Sequence, residues 1–150
     1  MNWLLVVTLL FNGILSGLSL DKVIVQLPAR VPMGVVNYAR YARAADLRNG
    51  VAFYAVTGVG AAVLTIVSAV VAVTGEASTA TRVLLGLAAA LSVLHTAATA
   101  VAAPTMFRVG RSPDTESTLA PLLTRFARAS AARAALQVTT FALVAVAAAG

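Results

Sequence analysis

The chain has 150 residues, of which 60% are hydrophobic and 11% charged, and it contains no cysteine; soluble domains usually carry about a quarter charged residues. That balance excludes an ordinary soluble enzyme, and the absence of cysteine excludes disulfides, thiolate metal centres and cysteine nucleophiles. The net charge of +6 does not call for nucleic acid, because the positions of the basic residues follow membrane topology instead.

Four apolar stretches are predicted to cross a membrane, at about residues 2–27, 51–73, 83–103 and 131–149. Each is near the roughly 20 residues that a helix needs to span hydrocarbon. The expected fold is an all-α integral membrane four-helix bundle, formed by residues 1–150 as one domain. The first stretch lacks a basic leader and a small-x-small cleavage site before Asp21-Lys22, so it is expected to be retained rather than removed as a signal peptide.

Span one should continue until Pro28, which cannot donate the next helical hydrogen bond. Asn12, Ser16, Ser19 and Gln26 then share one face, with Gly13 and Gly17 beside it for close helix approach. From Pro28 to Asn49 the chain is too polar to cross. There Val35, Tyr38, Ala42 and Ala45 recur at helical spacing opposite Asn37, Arg40 and Arg43, which predicts an amphipathic helix on the cytoplasmic interface. Its tyrosines would sit at headgroup level and its arginines in water, and Asp46 interrupts the apolar face. Span two carries Tyr54, Thr57, Ala61, Thr65 and Ser68 at spacings of three and four, and a small-xxx-small pair at Gly58 and Ala62.

Span three places Ser92, His95, Thr96 and Thr99 on one stripe and should end at Pro104. Ser112-Pro113-Asp114 is a loop signal, after which Leu119, Leu122, Leu123 and Phe126 open an amphipathic helix that runs into span four. Ser130, Arg133, Gln137 and Thr140 form the fourth polar stripe.

Lys22, Arg30, Arg40, Arg43 and Arg48 fall between spans one and two, and Arg108, Arg111, Arg125, Arg128 and Arg133 between three and four or at the start of four. Only Arg82 falls between two and three. By the positive-inside rule both long connections are cytoplasmic and both termini outside, as expected of a plasma-membrane protein in contact with anionic lipid.

Two sequence matches recur in the same order. Leu15-Ser16-Gly17-Leu18-Ser19 with eight residues before Pro28 parallels Leu91-Ser92-Val93-Leu94-His95 with eight before Pro104. Arg40-Tyr41-Ala42-Arg43 parallels Arg125-Phe126-Ala127-Arg128, each with four residues before a further arginine. The alternatives are chance in an alanine-rich chain and an internal duplication, which would give two parallel helical hairpins related by an axis along the membrane normal.

The candidate site is a polar lining inside the bundle. Asn12, Ser16, Tyr54, Thr57, Ser92, Thr99 and Gln137 would contact a ligand, with His95 and Arg133 as the residues able to do chemistry. His95, the only histidine, reads either as a tie between helices or as a base deep in the membrane. Arg133 reads either as a side chain reaching to the interface or as the partner of an anionic oxygen. No metal site is expected, since one histidine has no intramembrane carboxylate or thiolate beside it, and no cofactor is expected.

The layout resembles the anthrone-oxygenase-like family of small four-helix membrane proteins. The residues that carry the resemblance are Gly17, Leu27-Pro28, Pro104, Phe126 and Arg133, and the span pattern covers nearly the whole chain. The resemblance implies a bundle that binds a flat lipophilic molecule, with cofactor-free oxygenation of acidic polycyclic phenols in some members. His95 and Arg133 would then be the base and the oxyanion partner. The competing expectation is a non-catalytic accessory or structural subunit, held in a homo-oligomer or a larger membrane complex.

Overall fold

The computed structural model describes residues 3–150, so residue 2, the predicted start of span one, lies outside the described residues. Among the described residues every element is helical: α1 (Trp3–Asp21) continued by a widened turn at Lys22–Gln26, α2 (Arg30–Met33), α3 (Val35–Asp46), α4 (Asn49–Thr74), α5 (Thr79–Arg111) and α6 (Glu116–Ala149). Four helical stretches, Trp3–Gln26, Asn49–Thr74, Thr79–Arg111 and Glu116–Ala149, are long and apolar enough to cross a membrane. They point up, down, up and down, and each packs against two others: α1 on α4 and α6, and α5 on α4 and α6. Large apolar side chains such as Leu10, Val56, Val63 and Val93 face outward, as suits a surface bathed in lipid.

The bundle has two differently built ends. At the far end, next to the Thr74–Thr79 connection, Ala69 and Ala72 of α4 pack on Leu85 and Ala88 of α5, with Val144 and Ala147 of α6. At the basic end Tyr38, Ala39 and Ala42 of α3 pack with Ala102, Met106 and Val109 of α5 and with Leu119, Leu123 and Phe126 of α6. Helix α4 contributes nothing to that second cluster.

Proline placement explains the first helix and not the third. Near Pro28 the helix opens into a wide turn, with Leu27 N donating to Lys22 O at 2.9 Å, and stops. Its side chains cross-link that turn: Gln26 Nε2 donates to the Asp21 carboxylate, and Lys22 Nζ donates to Gln26 Oε1 at 2.5 Å. Pro104, expected to end span three, lies inside α5, which continues to Arg111. A proline removes one backbone donor, and in a membrane helix neighbouring groups absorb the loss. The burial of Thr105, Met106 and Val109 holds the extension in place.

The segment between α1 and α4 also differs from expectation. The apolar face of α3 is turned to protein: Tyr38, Ala39, Ala42 and Asp46 are buried and Tyr41 is exposed. Tyr38 therefore packs against protein rather than presenting its ring to lipid headgroups. Burial, reinforced by the charge of Asp46, pushes its phenol up to about 12, so it stays neutral. Arg40 and Arg43 are likewise engaged, gripping Asp114 in the α5–α6 loop at 2.9 and 2.5 Å. Arg43 also donates to the carbonyls of Val109 and Ser112. The Arg43 and Arg40 hydrogen bonds hold the Asp114 carboxyl below its usual range. Gly34, with φ +78°, starts α3 in a conformation that residues with a Cβ rarely adopt.

Of the glycines expected at close approaches, Gly13 is one, since a Cβ there would lie 3.3 Å from the ring of Phe141 on α6; the others are not. Gly58 and Gly17 face open space, whereas a Cβ on Gly60 would lie 2.5 Å from the ring of Phe11. A Cβ on Gly50 would lie 2.5 Å from the backbone oxygen of Ala45, where α3 turns back against the first turn of α4. Gly50→Ala is expected to cost about 1–3 kcal/mol, the usual range for overpacking against atoms that cannot move aside. Gly58→Ala should be neutral or mildly stabilising. Thermal unfolding of the two variants in the same detergent checks the contrast.

Candidate functional site

The predicted polar stripes do meet inside the bundle, but they separate into two layers of opposite character. The layer nearer the far end is closed. Asn12 on α1 donates through Nδ2 to Thr65 Oγ1 on α4 and to its own helix at Thr8 O, both at 2.9 Å. It accepts through Oδ1 from Gln137 Nε2 on α6 at 2.9 Å. Ser16 Oγ donates to the Gln137 carbonyl at 3.2 Å, and Thr8 and Ser68 share a hydrogen bond at 2.9 Å. These groups are buried and hydrogen-bond across helices, so Asn12, Ser16 and Gln137 tie spans together, and none of them lines the cavity. Thr57 bonds back to Phe53 O at 2.7 Å. Ser92 is buried in α5, and its carbonyl accepts from Thr96 Oγ1.

Toward the basic end lies a cavity of about 310 Å³, within the range of small-molecule sites. Of the predicted site residues, Tyr54, Thr99 and Arg133 line it. The remaining polar walls are Lys22, Asp46, Ser19 and Ser130, and the apolar ones include Leu15, Met106 and Phe126. Lys22 Nζ and Asp46 Oδ1 form an ion pair at 2.6 Å with each side chain only 9% exposed. The same ammonium stands 5.8 Å from the centre of the Tyr54 ring, a cation–π distance.

Three polar atoms of this wall are buried without a hydrogen-bond partner among the described residues: Asp46 Oδ2, Ser130 Oγ and Arg133 Nε. Arg133 has no acidic partner either, since the ion pairs among the described residues join other side chains. Buried polar atoms in folded proteins are nearly always paired. Three orphans on one cavity therefore leave unused hydrogen-bonding capacity gathered in one place.

His95 is buried but is not on the cavity wall. Its Nδ1 lies 3.1 Å from the backbone carbonyl of Arg133. A carbonyl only accepts, so Nδ1 carries the hydrogen and the ring is held as one tautomer. In this position His95 stands behind Arg133 and fixes the part of α6 that presents the guanidinium. Thr99, one turn further along α5, donates to the His95 carbonyl at 2.9 Å and reaches the cavity.

The sequence prediction left out Lys22, Asp46 and Ser130. One signal was available, because Asp46 interrupts the apolar face of a helix whose next charged neighbours are arginines. A carboxylate at such a position needs a buried cation, and Lys22 precedes the only break in the facing helix. No family model matches the chain, and no curated protein or solved structure matches it either.

Removing one member of the buried pair leaves the other charged and unpaired, which typically costs about 3–5 kcal/mol. Asp46→Asn is therefore expected to lower stability by that amount, and the double variant Lys22→Met/Asp46→Leu to recover most of it. Chemical or thermal unfolding in detergent checks both. Equal destabilisation by the single and double variants would show that the pair is not the source.

Proposed function

We propose that this chain is a plasma-membrane protein that binds a flat lipophilic molecule carrying one acidic oxygen, with the ionised oxygen held on Arg133. The single observation that carries this reading is the unpartnered Nε of Arg133, which no carboxylate pairs, on the wall of an otherwise largely apolar cavity. A half-buried cation without a counter-ion is unfavourable, and a bound anion offsets that. Ser130 Oγ can donate to the same oxygen. The apolar walls suit an aromatic skeleton better than a sugar or a nucleotide.

The resemblance to anthrone-oxygenase-like proteins fits this class of ligand and extends the proposal to catalysis. For the chemistry that the resemblance implies, the base on the wall is the free Oδ2 of Asp46, while His95 acts through the position of Arg133. A proton taken from a phenol or an acidic C–H leaves an anion that the guanidinium stabilises before it meets dioxygen.

The orientation is part of the proposal. Ten of the eleven basic residues belong to the basic end or its connections, which supports a cytoplasmic position for that end and the cavity near it, with both termini outside. Helix α3 would then lie at the cytoplasmic interface with its apolar face on the bundle. An internal duplication, α1 to α4 against α5 to α6, is supported by the paired sequence matches alone.

The test uses 1-hydroxypyrene and pyrene, which share a skeleton and differ by one acidic hydroxyl, with protein in lipid nanodiscs. The protein is expected to bind 1-hydroxypyrene in clear preference to pyrene. Arg133→Gln removes a charge-assisted hydrogen bond worth about 1.5–3 kcal/mol, so it should weaken 1-hydroxypyrene by roughly 10-fold to 100-fold and leave pyrene unchanged. Equal binding of the two probes by the wild-type protein would overturn the reading and leave the accessory-subunit role standing.

A further inference from the structure

We infer that the cavity opens sideways, between α4 and α5, into the lipid of the leaflet at the basic end, and that its ligand enters from the membrane rather than from water. This rests on the binding reading above and adds the source and shape of the ligand.

The opening follows from how α4 is held. Near the far end it is packed onto α5 through Ala69 and Ala72 against Leu85 and Ala88. Near the basic end no α4 residue joins the core, where α3, α5 and α6 pack together without it. At this end the cavity, which α4 borders through Val51, Tyr54 and Ala55 and α5 through Thr99, Ala103, Met106 and Phe107, takes the place of that α4–α5 packing.

The side chains on the two edges of the opening agree. Gly60 receives the ring of Phe11 and so marks the α1-facing side of α4. Val51, nine residues earlier, lies about 180° around the helix from it, at about 100° per residue, and so faces α5. On α5, Ala102 is fully buried in the cluster with α6. Phe107, five residues on and about 140° around, is turned away from α6 toward α4. Val51, Ala55 and Phe107 all line the cavity, yet Val51 is 38% and Phe107 45% exposed, and Ala55 is exposed as well. Cavity-lining residues that are also on the outer surface form a rim.

The chemistry of the rim differs from that of the depths. All three rim residues are apolar, whereas the orphaned Asp46, Ser130 and Arg133 atoms lie inward. A molecule dissolved in lipid would therefore enter with its acidic oxygen first and leave its apolar end at the rim or in the bilayer. The ligand class is an amphiphile with one acidic oxygen at one end, and its apolar part is free to exceed the cavity.

The chain has no native cysteine, so the rim can be blocked after folding. Phe107→Cys is reconstituted in lipid vesicles and modified with benzyl methanethiosulfonate, and uptake of 1-hydroxypyrene is followed against time. Val70→Cys, exposed on the outer surface of α4 near the far end, is the control. Modification at residue 107 is expected to slow uptake about tenfold or more, since access then sets the association rate. Reductant should restore it, and modification at residue 70 should change nothing. Unchanged uptake after complete modification at residue 107, with 1-hydroxypyrene still preferred to pyrene, would overturn the lateral route while leaving the binding reading intact. Loss of that preference in the unmodified protein would overturn both.

Discussion

A bilayer gives apolar helices no hydrophobic reason to leave lipid for one another, so their association rests on packing and on polar contacts between them. The Asn12 side chain meets that constraint. One amide uses both donor hydrogens and its oxygen to touch α4 and α6 as well as its own helix, and so fixes three of the four spans relative to each other. The remaining span, α5, is tied to α6 by the His95 ring and the Arg133 carbonyl. Each such bond is worth on the order of 0.6–2 kcal/mol in a membrane. Their value lies in direction, because each can form at only one rotation of each helix.

The same constraint makes the lower layer unusual. Where the Asn12 network has every donor matched, the cavity wall keeps a guanidinium nitrogen, a hydroxyl and a carboxylate oxygen unmatched. The Lys22–Asp46 pair sets this up. It draws the α3–α4 corner against α1 and carries Asp46 into the bundle, with one oxygen occupied and the other free. Tyr54, stacked on the ammonium, continues the same wall. One layer thus holds the spans together while the other keeps polar atoms without partners.

Much of this was legible in the sequence, for reasons that differ by feature. The spans could be read because apolar length is a direct requirement of the bilayer. The inward orientation of Asn12, Ser16, His95 and Gln137 could be read because polar groups have nowhere else to go. The division of those residues into a closed layer and an open one could not, since it depends on which side chains reach across, as Asn12 does to Gln137. Lys22 and Asp46 were missed because a charge near the end of a span and one on an amphipathic helix each read as facing water or headgroups. Their pairing joins residues on opposite sides of a connection whose path no local pattern describes. Pro104 misled because proline ends helices in water, whereas the packing of Met106 and Val109 carries α5 past it.

The uneven seating of α4 also has a mechanical meaning. A helix held by Ala69 and Ala72, by the Asn12–Thr65 bond and by the Phe11 ring at Gly60, and absent from the core beyond that point, has only its first turns as a free arm. Val51 stands about 14 Å along the axis from Gly60, at 1.5 Å per residue. A tilt of about 10° of that arm would move Val51 by roughly 2.4 Å, enough to change whether a flat ring fits the slot. The Gly50 contact with Ala45 sits at the end of the moving arm, so the width of the slot and the position of α3 change together.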